Sequence, residues 1–558
     1  MDTRRSILWM IFVFSLFMIW NSWMTYNNPP APQLTEQEQQ EVQAREAQLA
    51  TPSSIPSSAT DSGSSQQVAM SDSNSSPTAE QDIVRVQADF FTILFDTKGA
   101  QIVGAKLHLS RPEDPDTAQD VVLLDNNQNI YTVQSGLVGP AGTNFPNQNT
   151  LFRMVSNETE MTGDSLDVVF EAESDGIKLT RTYTFNRSSF KIDVNDSVSN
   201  IGTEPQTPSI YLQITRDQHE PPGGTYFYKT FSGFAMYTDQ ERFEKISFSD
   251  IDKGNATHAS QTNDGWISFI QQFFVTAWVP EEGKERFYDV RKISNNLYAI
   301  NSVEPLGTVQ PGATVSSSAQ LWVGPQDQKQ LSEISTGLDL VVDYGWLTII
   351  AKPMFNFMTW LHSFIGNWGW TIVVLTIIIK IVLYPLSAAS YRSMARMKNV
   401  GPRMQALKEQ FGDDRQKLNT AMMELYRNEK INPMGGCLPI VLQIPIFLTL
   451  YRVILASVEL RGAPWILWIQ DLAVADPYFI LPAIMTATMF LQFRLNPTPP
   501  DPMQARIMMI MPLVFGAMMF MFPAGLVLYW VVNNILSIAQ QQFITKRLAK
   551  VSNDKKIN

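Results

Sequence analysis

The chain has 558 residues, a formal net charge of −11 and a mean hydropathy of −0.08, and its length allows several domains. Its single cysteine, Cys437, excludes a fold that depends on disulfides, and no HExxH, G-x-S-x-G or P-loop motif indicates a common enzyme class. The averages conceal two unlike regions: residues 24–345 hold 20 Lys+Arg against 42 Asp+Glu, whereas residues 346–558 hold 20 against 10. This asymmetry predicts two compartments, with the basic segments in the cytoplasm.

The first predicted element is a transmembrane signal-anchor at residues 1–24. The basic start MDTRR precedes the apolar run SILWMIFVFSLFMIW, as in a secretory signal. At the end of that run, Trp20-Asn21-Ser22-Trp23 lacks the A-x-A pattern of a cleavage site. The sequence therefore favours an uncleaved anchor with its N-terminus inside, and a cleaved signal peptide is the alternative.

Two regions of different character follow the anchor. Residues 25–81 are rich in Gln, Ser, Thr, Pro, Ala and Glu, and this composition predicts a disordered tether. Residues 82–340 contain many short segments of period two, such as LDVVFEAES and IKLTRTYTF, which predict an antiparallel β-sandwich. Its position after an anchor with its N-terminus inside places this domain in the periplasm. The four histidines lie far apart, so an enzymatic role for this domain is the minor alternative, and binding of a sugar or peptide stays open.

Apolar segments after Tyr344 predict a helical membrane region. Within residues 341–364, the stretch 346–364 predicts an amphipathic helix on the outer interface, anchored by Trp346 and Trp360. Residues 365–543 predict a five-helix transmembrane core whose spans are 368–386, about 434–456, 477–493, 507–521 and 524–543. With the N-terminal anchor these make six transmembrane helices, and both termini are predicted to be cytoplasmic.

Two basic segments are predicted to lie in the cytoplasm. Residues 387–433 carry nine basic and five acidic side chains, and the tail 544–558 carries five and one. Apolar residues spaced by three and four on both sides of Gly412-Asp413-Asp414 predict a helical hairpin in the 387–433 loop. Its methionine-rich stripe packs the two helices together or, alternatively, receives unfolded apolar segments. The tail is predicted to contact anionic lipid, and ribosomal RNA is the alternative partner.

One charged side chain interrupts an apolar span, the lysine of TIIIKIVLYPLS. Lys380 is the thirteenth of 19 residues in the 368–386 span, about 9 Å from its cytoplasmic end. A central lysine costs on the order of 2.5–3.5 kcal/mol in a bilayer, and no other predicted span after residue 386 offers a carboxylate. The ammonium is therefore predicted to face water inside the bundle, and snorkelling to the interface is the simpler alternative. Polar candidates for the same cavity are Thr376, Gln443, Asn533 and Asn534.

Several long motifs resemble the YidC/Oxa1/Alb3 family in its long Gram-negative form. They include HSFIGNWGWTIVVLTIIIKIVLYPLS, NPMGGCLPIVLQIPIFLTLY and FPAGLVLYWVVNN, and the resemblance covers the whole chain. It implies a periplasmic β-supersandwich and an insertase and chaperone for nascent inner-membrane proteins, without enzymatic activity or a cofactor. It also implies a groove open to cytoplasm and lipid, and action as a monomer, alone or with the Sec translocon (SecYEG and SecDF).

The resemblance also implies roles for single residues. It places the groove cation on Lys380, where relatives more often have arginine, so only the charge is carried over. It places a substrate-contacting slide on Thr376 and Trp530, with Phe447 and Met485 as weaker members for which ordinary helix packing is the alternative. The full candidate set is Lys380, Thr376, Gln443, Phe447, Met485, Trp530 and Asn533.

A transporter and a structural scaffold are the two alternatives to an insertase. A small-solute transporter would show an inverted repeat and a site near the membrane midplane, but the sequence shows no internal repeat. A structural scaffold would explain the absent catalytic motifs and leave the unpaired lysine unexplained.

Overall fold

The computed structural model describes residues 83–111, 114–126, 129–219, 231–412, 414–429, 438–495 and 502–557. The predicted signal-anchor and the predicted tether lie outside the described residues. Within them, a region of β-strands is followed by a region of α-helices.

The β region consists of two nine-stranded antiparallel sheets. The first sheet has the order β1 (Ile83–Gln87), β2 (Phe91–Asp96), β3 (Gln101–Arg111), β5 (Tyr131–Val138), β10 (Ser209–Asp217), β17 (Leu297–Pro305), β16 (Arg286–Ser294) and β13 (Gln261–Thr262), with β4 (Asp114–Asp125) paired to β3. The second has the order β12 (Arg242–Ile246), β11 (Gly233–Thr238), β14 (Trp266–Gln271), β15 (Phe274–Pro280), β18 (Thr314–Pro325), β9 (Lys191–Asn200), β8 (Ile177–Asn186), β7 (Ser165–Ser174) and β6 (Arg153–Met154). The predicted antiparallel class is confirmed.

Alternation along the strands explains how the two sheets form a core. In β8 every second side chain is buried, including Leu179 and Phe185, while the residues between them are partly exposed. Trp266, Trp278 and Trp322 are all less than 2% exposed within the β core. Because large aromatic side chains bury 150–250 Å² each, roughly, burial of apolar surface stabilises this region.

One charged pair lies on the buried face of these strands. Arg181 on β8 stands opposite Asp196 on β9 in the strand register. Its Nε donates to Asp196 Oδ1 at 2.6 Å and its Nη2 donates to Oδ2 at 3.2 Å. Nη1 and Nη2 also donate to the carbonyl oxygen and the hydroxyl of Ser135, each at 2.9 Å. The guanidinium is 0% exposed and bonded on both sides of its fork, so its charge is compensated inside the core.

Ten α-helices are described. They are α1 (Phe248–Asp252), α2 (Gln328–Ile334), α3 (Thr348–Ile365), α4 (Trp368–Val382), α5 (Tyr384–Phe411), α6 (Arg415–Asn428), α7 (Leu438–Ala456), α8 (Ile480–Leu495), α9 (Pro502–Met519) and α10 (Ala524–Ile557). The last of these continues through most of the predicted basic tail, for which the sequence indicated no helix.

The chain turns sharply between α3 and α4. Gly366 ends α3 with φ of 72°, a left-handed conformation that favours glycine, and the side chain of Asn367 accepts a bond from the Trp370 amide at the start of α4. The stretches Gly345–Ile365 and Trp368–Val382 together have the length and hydropathy of a membrane span, but they are bent by 119°. Among the described residues, no helix has both the length and the hydropathy to cross a membrane alone. The six predicted transmembrane helices therefore stay a prediction.

The helices after the turn pack around α10, which contacts α4, α5, α7 and α8. Separately, α5 and α6 pack against each other through Val400 and Met404, which contact the partly buried side chains of Met397, Met422 and Leu425. The methionine-rich stripe thus joins the two helices, as the simpler interpretation of the sequence expects. Asp414 caps α6 by accepting bonds from the backbone amides of Gln416 and Lys417, at 3.2 and 3.1 Å. The cytoplasmic position of this helical pair stays a prediction.

Candidate functional site

Lys380 lies in the last turn of α4, because this helix ends at Val382 and not at residue 386 as predicted. Pro385 explains the early end: it lacks the backbone N–H that would continue the helix, and it lies in the first turn of α5 instead. The carbonyl end of a helix carries partial negative charge, so it favours a nearby ammonium. The local sequence therefore places the lysine at an electrostatically favourable end of α4.

The Lys380 ammonium is bonded to a hydroxyl on the central helix. Its Nζ donates to Ser537 Oγ on α10 at 2.7 Å, and Ser537 Oγ donates to the carbonyl oxygen of Asn533 at 2.7 Å. The lysine side chain is half-buried, whereas Ser537 and Asn533 are buried. Within the part of the chain that the structure describes, Lys380 forms no ion pair with a carboxylate. The ammonium is thus solvated by a hydroxyl and keeps an uncompensated charge.

Thr376 lies one turn before Lys380 on the same helix. It is 1% exposed, and its hydroxyl donates to the carbonyl oxygen of Ile372 at 2.7 Å. This bond within α4 satisfies the hydroxyl, as is common for threonine in helices. The structure places Thr376 beside the lysine in sequence and inside the packed core.

Trp530 and Phe447 meet in an aromatic cluster between α10 and α7. Their ring centroids lie 4.8 Å apart at an interplanar angle of 88°, and the ring of Phe515 lies 5.0 Å from that of Trp530. The indole Nε1 of Trp530 is buried and has no hydrogen-bond partner among the described residues. An unpaired buried donor costs about 1–3 kcal/mol, so a polar group that approached this nitrogen would be stabilised.

The remaining candidates are held by the same central helix. Gln443 on α7 donates its side-chain N–H to the hydroxyl of Tyr529, and Asn534 donates to Thr488 Oγ1 at 3.2 Å. Met485 is 0% exposed and belongs to the hydrophobic core of the helices. This position agrees with ordinary packing, and a contact between Met485 and a substrate stays a prediction.

The structure therefore brings Lys380 and Asn533 together through Ser537, and Trp530 and Phe447 together through their rings. Ser537 is absent from the candidates named from sequence. Its position in the sequence could have indicated it. Ser537 lies four residues after Asn533 and seven after Trp530, and residues with these spacings lie on one face of a helix. Tyr391 on α5 also interacts with Ser537, and no local pattern indicates that contact.

The outer surface of the helical region is strongly apolar. On α9, Met509, Leu513 and Val514 are 56–64% exposed, and on α4 Ile381 and Val382 are 66% and 68% exposed. Exposed apolar surface of this extent marks a contact with lipid or protein. An antiparallel β region joined to helices with a strongly apolar outer surface and a polar site at Lys380 is typical of one class: a membrane protein with an internal polar site.

Comparisons with known proteins agree with this class. Residues 83–357 match the model of the YidC periplasmic domain, and residues 360–551 match the model of the 60Kd inner membrane protein. A membrane protein insertase YidC from Bordetella petrii is 56% identical over 559 residues, with 99% of each chain covered. One from Cupriavidus metallidurans is 46% identical over 555 residues and covers 99% of this chain and 98% of its own. A crystal structure of an active YidC insertase covers 83% of this chain and 92% of its own, with 16% identity and a TM-score of 0.39.

The chain belongs to the YidC family of inner-membrane protein insertases. Members of this family are insertases and not enzymes, and the family carries a periplasmic domain. The resemblance inferred from the sequence motifs is confirmed.

Proposed function

We propose that this chain inserts membrane proteins by receiving an acidic or polar part of the incoming chain at Lys380. The observation that carries this proposal is the half-buried ammonium, which is bonded to the Ser537 hydroxyl and to no carboxylate among the described residues. A buried cation without an anion is unfavourable unless it is hydrated or bound to a ligand. An Asp or Glu side chain of a substrate would supply the missing charge.

Two forces would draw such a substrate through the helical region. The Lys380 ammonium attracts a carboxylate more strongly in a partly dry site than in water, because the effective dielectric constant is lower there. The membrane potential, positive outside, adds about 2.3 kcal/mol per negative charge per 100 mV. The site then acts as a transient relay in a groove open to cytoplasm and lipid. No covalent step or nucleotide is required.

An apolar wall beside the lysine would guide the new helix into lipid. We assign this slide to Thr376 and Trp530, with Phe447 and Met485 as weaker members, and we assign Gln443 and Asn533 to the polar part of the groove. Support comes from the aromatic contact between Trp530 and Phe447 and from the unpaired indole N–H. The same surface would shield segments that have not yet found their partners, which is the chaperone part of the proposal.

The proposed topology follows the charge distribution of the sequence. Six spans place both termini, the helical pair α5–α6 and the basic tail in the cytoplasm, and the β region in the periplasm. Residues 1–24 anchor the chain, residues 25–81 form the tether, and α3 lies on the outer interface with Trp346 and Trp360 exposed by 75% and 54%. Nascent inner-membrane proteins, anionic lipids, the Sec translocon and the ribosome are the proposed partners of a functional monomer.

Complementation of a depletion strain by Lys380 variants tests the proposed function. The readout is insertion of a short membrane protein with an acidic translocated tail, followed by protease accessibility. We expect Lys380→Arg to insert normally, Lys380→Ala to be impaired and Lys380→Glu to fail, because charge sign controls reception. Lys417→Glu, at an exposed lysine on α6, is the matched control for a charge reversal. Normal insertion by Lys380→Glu at equal expression would reject the proposal.

A further inference from the structure

The hydroxyl that holds Lys380 also bonds within its own helix. A serine hydroxyl has one donor and two acceptor positions. Ser537 donates to the carbonyl oxygen of Asn533 and accepts from Lys380 Nζ, both at 2.7 Å, and the Tyr391 hydroxyl on α5 also interacts with it. Ser537 is only 3% exposed. It therefore joins three helices, α4, α5 and α10, at the ammonium.

This bond sets the direction of a flexible side chain. Lys380 is two residues from the end of α4, so its four-carbon stem is long enough to take the ammonium out to the nearest water. The observed Nζ instead lies against α10 in the interior of the helical region. Hydrogen bonds to a charged group are stronger than those between neutral groups, so Ser537 favours the inward position.

A second hydroxyl in the same region bonds only within its own helix. The Thr376 hydroxyl bonds back to the carbonyl oxygen of Ile372, four residues earlier, and this contact alone satisfies it. Ser537 makes the same backward bond to Asn533 and would be satisfied without the lysine. Its additional contact with Lys380 is therefore not explained by the needs of the helix.

We propose that Ser537 is a positioning residue, which holds the Lys380 ammonium inside the helical region until a substrate carboxylate replaces its hydroxyl. This inference rests on the proposed function of Lys380. A carboxylate oxygen is a stronger acceptor for an ammonium than a hydroxyl oxygen, so the exchange is favourable. The ammonium stays bonded throughout, and at no stage is it buried without a partner. The ligand class is an Asp or Glu side chain in the translocated segment.

A double-mutant cycle between Ser537 and Lys380 tests this role. Two substrates are compared that differ only in one acidic residue of the translocated tail. Ser537→Ala removes one hydroxyl at a helical position where alanine is favourable, so the fold is retained. We expect insertion of the acidic substrate to fall roughly ten-fold and the neutral substrate to be unaffected. Ser537→Thr keeps the hydroxyl and should restore insertion, and Ser537→Ala should add nothing in a Lys380→Met background.

The position of the amine can be measured without any substrate. In nanodiscs, a water-soluble acylating reagent should modify Lys380 several-fold faster in Ser537→Ala than in the parent chain, because the freed side chain reaches water. Mass spectrometry resolves each lysine, and the exposed Lys417 is the internal reference.

The outcomes separate the two proposals. Normal insertion of the acidic substrate by Lys380→Met would overturn the proposed function itself. Failure of Lys380→Met together with normal insertion and unchanged acylation in Ser537→Ala would overturn only the positioning role. An equal loss for acidic and neutral substrates in Ser537→Ala would also overturn it, because that pattern indicates a structural role.

Discussion

Arg181 and Lys380 each bring a positive charge into a packed part of the described structure, and their surroundings are opposite. In the β region, Arg181 is 0% exposed and holds Asp196 with two hydrogen bonds of 2.6 and 3.2 Å. In the helical region, Lys380 is half-buried and donates to the neutral hydroxyl of Ser537. The charge of Arg181 is compensated by Asp196 within the fold and has a structural role. The charge of Lys380 has no carboxylate partner among the described residues, and in our proposal a substrate supplies one.

The residue types suit these two tasks. A guanidinium is planar and presents a fixed fork of donors, so it fits a carboxylate and a neighbouring carbonyl at once. An ammonium is a compact charge on a flexible stem with three donors, so it can exchange one acceptor for another. A buried pair of opposite charges is therefore stable and binds no further anion, whereas a lysine that is bonded only to a hydroxyl can still bind a carboxylate.

The largest expected effect comes from giving Lys380 the kind of partner that Arg181 has. Ser537→Asp places a carboxylate where the ammonium already points, so the charge is compensated before a substrate arrives. We expect insertion of acidic-tailed substrates to be abolished while the protein accumulates normally, as judged by protease protection in cells. Ser537→Asn, which has a similar size and no charge, should retain most activity. Equal activity of the two variants would refute the comparison.

The sequence indicates the two regions and the lysine, but not its partner. Period-two segments such as β8 predict the antiparallel sheets, because alternating burial leaves a direct trace in residue order. An apolar run around Lys380 likewise makes the charge conspicuous. Its bond to Ser537 joins residues 157 positions apart, so no local sequence pattern connects the two residues. The helix ends at Val382 because of Pro385. The apolar run continues past this proline, so hydropathy alone does not indicate the end of the helix.

The second effect comes from removing the partner of Arg181. Asp196→Ala leaves a buried guanidinium without its carboxylate, and such a loss typically costs about 3–5 kcal/mol. We expect faster hydrogen exchange in β8 and β9 of the full-length protein and a lower melting temperature of the β region. Asp193→Ala is the matched control on the same strand, because Asp193 pairs with Lys191 at a partly exposed site. A control as damaging as Asp196→Ala would show that strand pairing, and not the buried charge, controls the stability.

A smaller effect is expected at the aromatic wall beside the lysine. Trp530→Ala removes the ring that contacts both Phe447 and Phe515, whereas Trp530→Phe keeps most of the apolar surface and removes the unpaired N–H. If the wall guides substrates by apolar contact, the alanine variant should lower photocrosslinking and insertion several-fold and the phenylalanine variant should not. Trp360→Ala, at an exposed tryptophan on α3, controls for loss of any large aromatic side chain. Equal losses in Trp530→Ala and Trp530→Phe would assign the effect to the indole N–H instead.

The smallest expected effect concerns the opposite case, a buried carboxyl group without a cation. Glu459 follows α7 where the helical region meets the β region, and its Oε2 is buried without a partner among the described residues. Burial raises the pKa of Glu459 above 4.5, and repulsion from the nearby Asp327 adds to this shift, so that the pKa is about 8. The folded state thus keeps a proton that the unfolded state loses above pH 4.5.

The sign of the pH dependence follows from this difference in proton binding. Below pH 4.5 the Glu459 carboxyl is protonated in both states and its ionisation costs nothing, whereas between 4.5 and about 8 the free energy of unfolding falls as pH rises. Glu459→Gln cannot ionise, so it should flatten this dependence and raise the melting temperature at pH 7.5 by a few degrees. Thermal unfolding in nanodiscs between pH 5 and 8 measures the difference, with Glu333→Gln on the exposed face of α2 as control. Parallel pH profiles for the parent chain and Glu459→Gln would mean that Glu459 is hydrated or paired, and the contrast with Lys380 would then be confined to cations.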